Sequence, residues 1–138
     1  MIEFSFQKEF VLSGEDTITN WISATIDAES FKEGDLSYVF CSDDYLLEIN
    51  NKHLKHNTLT DIITFDYSLG KQINSEIYIS IDRVIENADS FDTTFANELH
   101  RVIIHGVLHL CGYKDNTKEA KAIMRNKEDY YLSLLTFS

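Results

Sequence analysis

Three residues of this 138-residue chain, His105, His109 and Asp115, have types and spacing suited to metal chemistry. Four positions are a little more than one helical turn. His105 and His109 would therefore share a helix face, with Cβ atoms about 5–6 Å apart. Two imidazoles so placed can reach one metal ion at about 2.0–2.1 Å. Gly112 is placed to end that helix in a left-handed conformation and let the chain turn back. Asp115 then arrives as a third donor. Two neutral nitrogens and one carboxylate suit a single Zn²⁺ and leave a fourth position open for water. That is a hydrolytic arrangement, because zinc lowers the pKa of a water it binds to about 7. A histidine pair at this spacing is more often structural when it stands alone; the helix break and the following acid are what favour metal. Gly106 stands where the zinc-protease signature H-E-x-x-H carries its general base. Protease chemistry is disfavoured, and no side-chain base is assigned. His100 lies about 140° around the helix from His105 and reads as surface. Cys111 reads as core, and Cys41 as a buried strand residue.

The elements that must hold these residues are legible from periodicity. Ile2 to Gln7 alternates as a half-buried strand. Asp16 to Ala28, opened by Ser13 or Gly14, carries Ile18, Trp21, Ile22 and Ile26 on one helical face. Leu36 to Cys41 reads as a strand, and Ser42 as the N-cap of a helix reaching about Asn51. The polar segment from Asn51 to Thr60 reads as a loop. Asp61–Tyr67 and Glu76–Ile81 are β-branched and aromatic strands around a Ser-Leu-Gly turn. Ile81–Phe91, capped by Ser80, predicts a short helix, and Thr94–Cys111 the longest one. Thr117 to about Leu135 predicts a final amphipathic helix. The expected fold is α/β (α+β): a single domain, residues 1–138, with a mixed, roughly four-stranded sheet packed by about five helices.

Composition bounds the function. Hydrophobic residues make up 43% and charged residues 25%, which excludes general disorder. Two cysteines seventy positions apart, no long apolar run and no basic leader predict a cytoplasmic protein without a membrane span. The net charge of −11 argues against a nonspecific nucleic-acid binder. The acidity is uneven: residues 1–50 hold 11 acids and 2 bases, whereas residues 114–138 hold 4 and 5. A polyanion can still dock away from the first third. Lys52, Lys55, His56 and Arg101 are the candidate phosphate contacts, on electrostatic grounds.

The stretch His105-Gly106-Val107-Leu108-His109-Leu110-Cys111-Gly112-Tyr113 closely resembles the metal motif of the YbeY family, H-G-x-L-H-L-x-G-Y-D-H. Thr60-Asp61-Ile62-Ile63-Thr64-Phe65 is similar to its T-D-V-L-S-F strand, and Ser75-Glu76-Ile77-Tyr78-Ile79-Ser80 to its G-D-I-x-I-S strand. The resemblance implies a cytoplasmic bacterial protein with one zinc held at the three motif positions, His105, His109 and Asp115. It implies a single-strand-specific endoribonuclease acting on rRNA with the small ribosomal subunit, in 16S rRNA 3′ end processing and ribosome quality control. Two departures stand out. Asp115 replaces the family's usual His and Lys114 its Asp; an Asp ligand adds a negative charge that lowers a bound metal's electrophilicity. Leu54 stands where the family often has Arg, and the flanking Lys52 and Lys55 lack the guanidinium fork. Two other readings remain: a ribosome-associated binding module with a structural zinc, which would need a fourth protein ligand, and another zinc hydrolase such as a metalloprotease.

Overall fold

Alternation of apolar and polar residues builds a four-stranded sheet. The computed structural model describes residues 1–54 and 60–137, the side chains of 53 and 54 excepted. The strands are β1 (Ile2–Phe6), β2 (Lys32–Cys41), β3 (Ile62–Asp66) and β4 (Gln72–Ser80). The helices are α1 (Glu15–Ala28), α2 (Asp43–Leu54), α3 (Ile81–Ser90), α4 (Phe95–Leu110) and α5 (Lys118–Leu134). Sheet order is β1-β2-β4-β3, with β1–β2 and β2–β4 parallel and β3–β4 antiparallel. This is the mixed α/β domain with five helices that the sequence predicts.

Local signals set the helix starts. The side chains of Ser80, Thr94 and Thr117 each accept a bond from a backbone N–H in the first turn of the helix that follows. Ser42 does the same for α2, accepting from Tyr45 N–H at 3.2 Å. The opening of α1 falls at the second of its two expected positions. Its N-cap is Gly14 in the left-handed conformation, with no side-chain cap. Three boundaries move. The strands β2 and β4 begin earlier than their apolar runs, at Lys32 and Gln72, because these two residues pair in the ladder. Asn51–Leu54, read from polarity as loop, continues α2.

The main core lies between one face of the sheet and α1, α3, α4 and α5. It is built from Ile18, Ile22, Phe40, Ile77, Ile103 and Val107 among others. Side chains alternate across a strand, so Cys41 and Ile63 point the other way and pack with Leu46 of α2. α4 is the central helix. Between Arg101 and Leu110, every residue is buried except Arg101, His105 and His109. These three lie at successive four-residue steps and form one half-exposed stripe.

Candidate metal centre

The stripe on α4 faces an open cleft, and its C-terminal end meets the loop after the helix. Cys111 caps α4, and Gly112 takes φ +100°, which reverses the chain. Tyr113 then anchors the loop: its hydroxyl donates to Glu29 Oε1 at 2.7 Å. Glu29, the C-cap of α1, also receives Lys127 Nζ at 3.2 Å and the Tyr131 hydroxyl, both from α5. Burial alone would raise the Glu29 pKa, but the bonds from Tyr131, Tyr113 and Lys127 outweigh it and hold the carboxyl below its ordinary value. One carboxylate thus ties α1 and α5 to the loop that carries Asp115.

The three expected donors converge. His105 Nε2 and His109 Nε2 each lie 3.3 Å from Asp115 Oδ2. The ligand atoms of all three residues lie within 4.8 Å of one another. Two donors at zinc-ligand distances on a tetrahedron stand about 3.4 Å apart, so the donor set fits such an ion. Among the described residues, no fourth His, Cys, Asp or Glu joins the group.

A second layer orients the first histidine. His105 Nδ1 lies 2.6 Å from Glu128 Oε2. Glu128 is a buried carboxylate on α5. Burial would raise its pKa, but His105 and Arg101 more than offset this, and it is lowered overall. An ionised carboxylate only accepts, so Nδ1 carries a proton, and in the neutral imidazole that leaves Nε2 as the lone-pair nitrogen toward the other donors. Arg101 braces Glu128 through Nη1 at 2.8 Å and reaches Asp129 through Nη2 at 2.7 Å. For His105, desolvation acts downward, yet Glu128, Asp115 and Asp61 together raise its pKa.

Asp61, at the start of β3, completes the setting. It lines both lobes of the cleft, each about 530 Å³, and His105 and Asp115 lie on both. Burial raises the Asp61 pKa, with His105 opposing. Gly106 turns away from the cleft. A Cβ there would stand 3.0 Å from Ile62 Cδ1 and 3.6 Å from Ile77 Cγ2, so α4 approaches the sheet closely at this point. A side chain after the first histidine would press on the sheet rather than enter the cleft, unlike the glutamate of a zinc protease.

The other expected residues fall out variously. Lys52 is an exposed residue of α2. Lys55 and His56 lie outside the described residues, and so does the side chain of Leu54. Arg101 borders the cleft, but both terminal nitrogens are engaged by carboxylates. His100, read as surface, is half-buried: it stacks on Phe137 at 5.4 Å and meets Trp21 edge-on. Desolvation lowers its pKa. Cys111 is partly buried against the main core, and Cys41 is fully buried. Sequence reasoning missed Glu128 and Asp61 as parts of the site. The available signal for Glu128 was an acid one turn after Met124 on the buried face of α5.

A mixed sheet backing a helix and loop that bring two imidazoles and a carboxylate together in an open cleft is the class of fold and site that a metal-dependent hydrolase would use. The family model for Endoribonuclease YbeY matches residues 3–136. An Endoribonuclease YbeY of Flavobacterium psychrophilum is 53% identical over 97% of this chain and 96% of its own length. That of Christiangramia forsetii is 48% identical over 96% of this chain and 93% of its own. A solution structure of a Thermotoga maritima protein superposes with a TM-score of 0.71 at 26% identity, covering 98% of this chain and 89% of that one. The chain belongs to the YbeY endoribonuclease family, and with it to the RNA-cleaving hydrolases.

Proposed function

We propose that the chain is a zinc-dependent, single-strand-specific endoribonuclease that matures the 3′ end of 16S rRNA on the small ribosomal subunit and serves ribosome quality control in the cytoplasm. The observation that carries this reading is the convergence of His105 Nε2 and His109 Nε2 on Asp115 Oδ2 at the junction of two open lobes. When bound, zinc would supply Lewis acidity to the phosphodiester and a nucleophile at neutral pH. The chain's residues do the rest. Glu128 holds His105 in the tautomer whose Nε2 is free to ligate. Asp61 lines both lobes beside His105 and Asp115, so its carboxyl stands where a substrate approaching the donors would pass. Among the described residues no fourth donor joins the group, which supports a catalytic over a purely structural metal.

The test is cleavage of single-stranded RNA by wild type and His109→Ala, purified side by side with zinc quantified in both. The variant should lose zinc and cleavage together. Equal cleavage by a zinc-free variant would sink the assignment.

A further inference from the structure

One lobe of the cleft has a composition that metal binding does not explain. It extends from Asp61 and His105 toward the junction of α3 and α4 and along α5, with a volume of about 530 Å³. That is within the range of small-molecule sites. Its floor is acidic but closed off: Glu98 and Glu128 are 6% and 5% exposed. Its rim is basic. Lys121 and Arg125 stand four residues apart on α5, both exposed and both lining the lobe. Among the described residues neither forms an ion pair, unlike Arg101 in the same lobe, which is held by Glu128 and Asp129. They place two cations together at one rim of a chain whose net charge is −11. Phe91, the residue that caps α3, also lines this lobe and is 63% exposed. Ile62 and Met124 add an apolar wall.

We propose that this lobe is a nucleotide subsite, in which Phe91 stacks on a base of single-stranded RNA while Lys121 and Arg125 hold its flanking phosphates beside the metal centre. The proposal rests on the ribonuclease reading and specifies where one side of the substrate lies. An unpaired base offers a π-face to an exposed aromatic, and its backbone offers charge to the cations. A duplex keeps its bases stacked on each other, so the aromatic would select single strands. Arg101 cannot serve as the phosphate contact while Glu128 and Asp129 occupy it, which leaves α5 as the source of positive charge on this side.

The experiment measures anisotropy of a short labelled single-stranded oligoribonucleotide with the zinc-loaded protein, across a salt series, read before cleavage begins and with the probe's length checked on a gel. The variants are Phe91→Ala and the double variant Lys121→Ala/Arg125→Ala. All three side chains are exposed and none is a metal donor, so folding and zinc content should be retained. Phe91→Ala should weaken binding about fivefold or more, the low end of one base–aromatic stack. An oligomer abasic at each position in turn should lose that difference at one position only. The double variant should flatten log K against log salt by about 0.7 for each phosphate that the protein no longer neutralises. In cleavage assays, the loss should fall on KM more than on kcat. Wild-type affinity, salt slope and KM in both variants would overturn the subsite. The ribonuclease reading fails on a different result, absence of cleavage by the zinc-loaded wild type, and the binding assay still decides the subsite in that case.

Discussion

At the scale of single residues, Glu128 decides how His105 is used. An imidazole has two nitrogens, and the one that ligates is set by the bond the other makes. Glu128 Oε2, 2.6 Å from Nδ1, would leave Nε2 as the ligating nitrogen under the proposed reading. Removing its charge leaves the hydrogen bond but weakens the hold on the tautomer, and it leaves Arg101 with only Asp129. Glu128→Gln should therefore lower zinc affinity about 10- to 100-fold, the usual effect of losing such a partner. Competition against a chromophoric chelator reads this directly, with circular dichroism to check the fold. Unchanged affinity would show that His105 is oriented by packing alone. The His105–His109–Asp115 trio was legible in the sequence because i, i+4 spacing and a glycine stop are local. Glu128 was not, because its partner lies 23 residues away on another helix. Only the folded chain shows what faces a buried acid.

Elements position the third donor, and the joint is Glu29. It lies at the end of α1, yet it accepts from Tyr113 in the loop before Asp115 and from Lys127 and Tyr131 on α5. Its folded pKa is lowered, so its ionised form contributes stability above the unfolded pKa of about 4.3. That contribution is lost as pH falls through the folded value. Wild type should therefore exceed Glu29→Gln in urea midpoint by the most above about pH 5, and the gap should close progressively below about pH 4. Glu128 titrates alike in both proteins and drops out of the difference. A gap of constant size down to the acid limb would mean that the carboxylate's charge plays no part in the joint. The same long-range character explains which elements the sequence concealed. Ser42 and Ser80 announced their helices because capping is local, while α4 and α5 were legible from their apolar periodicity. The start of β2 at Lys32 was hidden because Gln72, forty positions on, supplies its partner. Polarity misled at Asn51–Leu54, where α2 continues through four residues without an apolar stripe.

Across the whole molecule, charge sets how the cleft meets a polyanion. The net charge of −11 repels RNA at long range, while the rim of Lys121 and Arg125 attracts it at contact. The two effects respond oppositely to salt. At about 10 mM ionic strength the Debye length is about 30 Å, comparable to the size of the domain, so approaching RNA senses the net charge. At about 100 mM it is about 10 Å, and the distant acids of the first third are screened while contacts within the cleft persist. Further salt weakens those contacts by counterion competition. The kcat/KM for a short single-stranded RNA should therefore rise or hold flat between about 10 and 100 mM salt and fall beyond it, with zinc saturating throughout. A basic ribonuclease would instead lose activity steadily from the lowest salt. A monotonic, steep decline here would mean that local cations govern the encounter and that the acidic surface is too far from the RNA path to matter. Neutralising acids in residues 1–50 separates the causes: it should raise the low-salt rate and leave the high-salt limb in place. If both limbs moved together, those acids would lie against the bound RNA, and the substrate path would have to be redrawn across α1 and β2.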